Sequence, residues 1–164
     1  MSAGDSVAFV GLGANLDEPE RQIRTALDAM GRLPQTRLVR TSRLYRTPPW
    51  GGIEQPGFIN AAAQLSTRLA PRELLDALLA IERAQGRYRD GTRWGPRAID
   101  LDILLFGDRH IDEVDLRIPH PHIAERAFVL LPLADLDADL LVPGRGRVGE
   151  LLKRVDTSGC TPLD

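Results

Sequence analysis

Ile99-Asp100-Leu101-Asp102-Ile103-Leu104-Leu105-Phe106 is the plainest strand pattern in the chain, an apolar run interrupted only by two aspartates at alternate positions. Side chains alternate across a strand, so Asp100 and Asp102 share one face, about 6.5 Å apart, while Ile99, Leu101 and Ile103 fill the other. The run turns at Gly107-Asp108 into Arg109-His110-Ile111. Upstream, Pro71 opens a helix with Leu74, Leu78, Ile81 and Gln85 on one side and Gly86 after its end. Before that, residues 58–65 read as a strand and residues 36–45 as another. An earlier helix runs from Pro19 through Ile23, Ala26, Leu27 and Met30 to Gly31, and Val7-Ala8-Phe9-Val10 is a short buried strand ended by Gly11 and Gly13.

The resulting order, β-α-β-β-α-β, predicts an α+β protein: a ferredoxin-like α/β sandwich with a mainly antiparallel sheet. Additional C-terminal elements follow, with helices expected over residues 128–136 and 148–154. Two irregular stretches interrupt the pattern. Residues 47–57 contain three prolines and three glycines, and residues 86–97 contain Gly86, Gly91 and Gly95. Segments of this length inside a compact domain are often functional.

The chain has 164 residues, enough for one domain spanning 1–164, without internal repeats or a low-complexity linker. A net charge of −2 argues against general nucleic-acid binding, which needs excess positive charge. No apolar stretch approaches the roughly 20 residues that cross a bilayer, and no basic N-terminal leader precedes the first strand. One cysteine, Cys160, excludes an internal disulfide and suits a reducing compartment. The expectation is a cytoplasmic monomer with neither nucleic acid nor membrane as partner.

Two carboxylates held side by side repel, and one or two divalent cations relieve the repulsion. Magnesium favours one or two carboxylates completed by phosphate oxygens and water, so Asp100 and Asp102 are candidate metal ligands. The plainer alternative is the solvated side of an edge strand. Just ahead of them lie Arg87, Arg89, Arg93 and Arg97 against one acid, Asp90. Arginine is common throughout this chain, only Lys153 being lysine among 21 basic residues, so the cluster taken alone also fits a solvated loop. Beside a carboxylate pair it fits phosphoryl or pyrophosphoryl transfer, where metals clamp the phosphates and arginines neutralise developing charge.

In Ile118-Pro119-His120-Pro121-His122 the prolines fix His120 as an aimed phosphate donor, with a structural cap as the alternative. No cysteine supports a zinc site there. Phe58 and Asn60, two apart on one strand face, pair a ring with an amide. They suit a flat heterocycle, or else core packing with a turn amide.

In order along the chain stand Gly13-Ala14-Asn15-Leu16, Tyr45-Arg46-Thr47-Pro48-Pro49, Gln55 through Phe58 to Asn60, and Glu82-Arg83-Ala84-Gln85-Gly86-Arg87. Arg93-Trp94-Gly95-Pro96-Arg97, Asp100-Leu101-Asp102-Ile103 and Pro119-His120-Pro121 complete the series. Taken together they resemble the 6-hydroxymethyl-7,8-dihydropterin pyrophosphokinase family over most of the chain.

The resemblance implies transfer of pyrophosphate from ATP, the co-substrate, to the hydroxymethyl group of a dihydropterin, with two Mg²⁺ ions on Asp100 and Asp102. It implies Arg87 and Arg97 as catalytic residues. Thr47, Pro48, Trp50, Phe58, Asn60, Trp94 and Phe128 fall at pterin positions. Glu82, Arg89, Trp94, Ile103, His120 and Arg126 fall at ATP positions. Ala14 departs from the pattern's serine and Leu79 from its glutamine. Asp115 and Arg117 replace a basic and a hydroxyl residue, leaving Arg117 as a candidate for the lost charge. The rival readings are a two-metal phosphodiesterase, which would use the same aspartates, and a non-enzymatic ligand-binding module.

Overall fold

The structure is a computed structural model that describes residues 4–15, 18–48, 57–86 and 99–163. Strand β1 (Ser6–Ala14) leads into helix α1 (Pro19–Gly31), whose Ile23, Ala26 and Met30 are buried at helical spacing. Strands β2 (Thr36–Thr41), β3 (Tyr45–Thr47) and β4 (Phe58–Thr67) follow, then helix α2 (Pro71–Gly86). Glu73 caps α2 by accepting the Ala70 N–H at 2.7 Å, three residues upstream. The aspartate strand is β5 (Asp100–Phe106). Beyond it come the hairpin β6 (Ile111–Glu113) and β7 (Leu116–Ile118), helix α3 (Ala127–Asp137), the hairpin β8 (Leu141–Val142) and β9 (Gly146–Arg147), helix α4 (Val148–Leu152) and strand β10 (Thr161–Pro162).

The principal sheet is antiparallel in the order β10-β3-β4-β1-β5, with β2 also paired to β4. This is the predicted ferredoxin-like arrangement, and it carries an apolar core on each face. One core joins Val10 and Leu12 of β1, Leu65 of β4 and Ile103 of β5 to α1 and α2. The other joins Phe9, Ala62, Leu104 and Leu105 to Leu130 and Leu133 of α3 and to α4. The expected C-terminal elements therefore form a third layer, covering the sheet face that α1 and α2 leave bare.

Three local expectations change. Gly11 and Gly13 do not end β1, which continues through both to Ala14. The strand expected over residues 36–45 is split, because the Ser42 hydroxyl takes a place in the ladder. It accepts the Ala62 N–H at 2.8 Å while the Ser42 N–H donates to the Ala62 carbonyl at 2.9 Å. The last helix ends at Leu152 rather than 154, its final residues closing as a turn.

Candidate active site

The uncovered end of the second sheet face carries the site. Antiparallel register sets Gly13 between Asp100 on one side and Asn60 on the other, and Gly11 between Asp102 and Ala62. Side chains directly opposite one another share a face, so the two glycines form a bare floor between the carboxylates and the amide. The floor has no room for more. A Cβ on Gly13 would stand 2.9 Å from Asn60 Nδ2, and one on Gly11 would stand 3.3 Å from the methyls of Leu104. Glycine inside a strand signals such a close approach, and that was the available clue that both belong to the site.

Asp100 and Asp102 are exposed while Leu101 and Ile103 are buried, as the alternation predicted. Glu82 on α2 accepts the Leu101 N–H at 2.7 Å, fixing the backbone between the two aspartates. Asn60 is buried, and its Oδ1 accepts from Thr47 Oγ1 at 2.6 Å, which leaves its Nδ2 near the Leu12 carbonyl at 3.4 Å. Its amide orientation is thereby set by hydrogen bonding.

Asp100, Asp102, Thr47 and Asn60 line a cleft of about 200 Å³ with Phe58 and Pro48 on the β3–β4 side and Phe128 and Val129 of α3 on the other. The Arg126 guanidinium stands 5.6 Å from the centre of the Phe128 ring, within the range of a cation–π contact. A wider cleft of about 420 Å³ adjoins it, bounded by Ile103, the β6–β7 hairpin and Pro121. Asp102 and His120 line both clefts. Two ligands bound side by side would meet at these two residues.

His120 follows a cis Ile118–Pro119 bond, and its N–H donates to the Leu104 carbonyl at 3.0 Å, tying it to β5. Burial pushes its imidazole below the ordinary histidine value. Arg126 and His122 push the same way, and Asp102 opposes them. The ring is therefore neutral near pH 7. Its Nδ1 accepts the His122 N–H at 3.1 Å, so the single proton sits on Nε2, a neutral hydrogen-bond donor.

In the hairpin, Arg117 pairs with Asp112 at 3.3 Å, and Arg72 of α2 binds both Glu113 and Asp115. Arg117 thus lines the wider cleft with its guanidinium already engaged, and Arg72 partly neutralises the Asp115 charge. Of the residues singled out from sequence, the structure brings Thr47, Pro48, Phe58 and Asn60 together with Asp100, Asp102, His120, Arg126 and Phe128. Ile103 lines the wider cleft, and Glu82 lines neither. Trp50, Arg87, Arg89, Arg93, Trp94 and Arg97 lie outside the described residues. Sequence reasoning missed Arg43 and Asp135, which form one hydrogen-bonded cluster with Tyr45, two residues from Thr47 of the narrow cleft.

The family model for 7,8-dihydro-6-hydroxymethylpterin-pyrophosphokinase (HPPK) matches residues 9–138. A Pseudomonas aeruginosa protein named 2-amino-4-hydroxy-6-hydroxymethyldihydropteridine pyrophosphokinase is 57% identical over 155 residues, spanning 94% of this chain and 95% of its own. A Haemophilus influenzae protein of the same name is 44% identical over 147 residues, spanning 90% and 91%. Among solved structures, wild-type Plasmodium falciparum HPPK-DHPS with pteroate superposes with a TM-score of 0.69 at 15% identity. That match covers 92% of this chain and 42% of the larger one, and supports the fold alone.

Proposed function

The chain belongs to the 7,8-dihydro-6-hydroxymethylpterin-pyrophosphokinase family, and from that membership we propose that its two adjoining clefts hold a hydroxymethyl dihydropterin and ATP side by side. It transfers pyrophosphate from ATP to the pterin hydroxymethyl group, giving AMP and the pterin diphosphate, a step of folate biosynthesis. The hydroxyl oxygen bonds to the β-phosphorus, the bond from that phosphorus to the AMP oxygen breaks, and the hydroxyl proton is lost to solvent. The observation that carries this reading is the sharing of Asp102 and His120 by both clefts.

In the narrow cleft Phe58 and Phe128 stack on the pterin, and Asn60, aimed by Thr47, bonds its edge, with Pro48 closing the wall. Trp50 and Trp94 complete this pocket on the family pattern. In the wider cleft Ile103 meets adenine, while His120 donates Nε2–H to phosphate and Arg126 adds charge. Glu82 and Arg89 are assigned to the ATP side on the same pattern. Arg87 and Arg97 stabilise the charge that develops during transfer.

Asp100 and Asp102 are the proposed magnesium ligands, and the residues present fit such an ion. Two hard oxygen donors on a bare strand face leave room for phosphate oxygens and water. Substrate oxygens and water would complete the coordination of such an ion. Two magnesium ions, when bound, supply charge neutralisation across the phosphate chain. The protein itself contributes position and fixed dipoles.

We further assign residues 1–164 to one pyrophosphokinase domain, acting as a cytoplasmic monomer without nucleic acid or membrane partners. No helix among the described residues is long and apolar enough to cross a membrane. The test is direct: ATP, Mg²⁺ and the hydroxymethyl dihydropterin are incubated with the protein and separated by chromatography. Equal amounts of AMP and pterin diphosphate are expected. ADP with a pterin monophosphate, or no product, would refute the reading.

A further inference from the structure

One carboxylate joins the two walls of the narrow cleft. Asp135 lies on α3, seven residues and about two turns beyond Phe128, and so on the same side of the helix. Asp135 Oδ2 accepts from the Arg43 backbone N–H and from Arg43 Nε, each at 3.1 Å. Its Oδ1 accepts from Arg43 Nη2 at 3.0 Å and from the Tyr45 hydroxyl at 2.8 Å. Arg43 Nη2 also donates to the Tyr45 oxygen at 3.0 Å, closing the triangle.

Tyr45 sits directly opposite Asn60, and Thr47, two residues on, shares its strand face and fixes the Asn60 amide. The carboxylate therefore links the helix bearing Phe128 to the strand bearing Thr47. That strand is short. β3 has three residues, three register pairs with β4 and two with β10.

We propose that Asp135, acting through Tyr45 and Arg43, is a positioning residue that sets the separation of the Phe128 and Thr47–Asn60 walls, and hence the fit of a flat ring between them. Only the identity of that ring rests on the function proposed above. The group behaves as a tight cluster. Burial alone would raise the Asp135 carboxyl, but the hydrogen bonds from Arg43 and Tyr45 outweigh it and hold the group below the usual carboxylate range. A purely structural ion pair would alter stability alone. A positioning residue alters ring binding more than nucleotide binding.

The experiment compares Tyr45→Phe, Asp135→Asn and the double variant with wild type. Pterin affinity is measured by calorimetry with Mg²⁺ and a non-hydrolysable ATP analogue, nucleotide affinity is measured without pterin, and amide hydrogen exchange is followed in the ligand-free protein. Pterin affinity should fall roughly tenfold, the factor expected when one hydrogen bond is coupled to binding. Nucleotide affinity should stay within about twofold, and the losses in the double variant should fall short of the sum of the single ones, because both changes act on one hydrogen-bonded cluster.

Exchange should quicken in β3 and the first turn of α3 while β1 and β4 stay protected. Tyr45→Phe keeps the ring in the core, so it tests the idea even if Asp135→Asn folds poorly. Unchanged pterin affinity, or equal weakening of both ligands, would overturn the proposal. If the wild type binds no pterin, the functional reading fails separately, and the exchange data alone decide: unchanged protection in β3 and α3 refutes the link.

Discussion

Replacing Gly13 with alanine tests the floor of the site, because one methyl group there meets an atom that can retreat only by breaking a buried hydrogen bond. The new Cβ would stand 2.9 Å from Asn60 Nδ2, well inside the roughly 3.5 Å at which non-bonded heavy atoms pack best. Asn60 is the direct cross-strand partner of Gly13, and its Oδ1 is held 2.6 Å from Thr47 Oγ1. Two relaxations remain. The strands can separate locally, an overpacking cost of about 1–3 kcal/mol. Alternatively the amide can swing away and leave the buried Thr47 hydroxyl without its acceptor, a cost of about 1–3 kcal/mol.

Either way stability should fall by about 2 kcal/mol, or roughly 4–8 °C in Tm for a chain of this size. Pterin affinity should fall by at least about tenfold, since every route misplaces Asn60. Gly11→Ala is the matched comparison. Its Cβ would meet the Leu104 methyls at 3.3 Å, and a flexible side-chain end can yield a few tenths of an ångström. Its losses should be less than half those of Gly13→Ala. Urea unfolding followed by circular dichroism and pterin calorimetry read both effects. If Gly13→Ala stays within about 0.5 kcal/mol of wild type and binds pterin within twofold, the floor is not tightly packed and the argument fails.

Other outcomes follow from the same geometry. Asp100→Ala or Asp102→Ala should nearly abolish turnover while circular dichroism stays native, since both side chains are exposed and belong to neither apolar core; normal turnover at ordinary Mg²⁺ would remove the metal assignment. Phe58→Ala should weaken pterin binding by about 1–3 kcal/mol and ATP binding much less, and equal losses in calorimetry would mark Phe58 as core. Arg97→Ala should slow the chemical step by about 10²–10³-fold in single-turnover quench experiments; a change under threefold would reduce the loop arginines to surface charge. Burial, with Asp135 adding, pushes the Tyr45 hydroxyl up to about 12. Between pH 10 and about 12 the native state therefore keeps a proton that the unfolded chain releases, so stability falls as pH rises through that window. Tyr45→Phe should flatten this part of the urea-unfolding profile, and identical slopes in both proteins would contradict the assignment.

Much of this protein is written locally in its chain. The spacing of Ile23, Ala26 and Met30, or of Leu74, Leu78 and Ile81, needs only a 3.6-residue period to declare a helix face. The alternation of Leu101 and Ile103 with Asp100 and Asp102 needs only the two-residue period of a strand. Those periods, in order, were enough for the ferredoxin-like core. The ordered motifs were enough for the family. Other features depend on residues distant in sequence, to which a local pattern is blind. Gly11 and Gly13 read as strand enders because glycine usually marks a turn; only the cross-strand approach of Asn60 and Leu104 reveals why a side chain is excluded there. The interruption at Ser42 depends on the Ala62 N–H arriving from β4. Nothing near Tyr45 announces a carboxylate 90 residues away, because a hydrogen bond between a strand and a helix exists only once the sheet has placed them face to face.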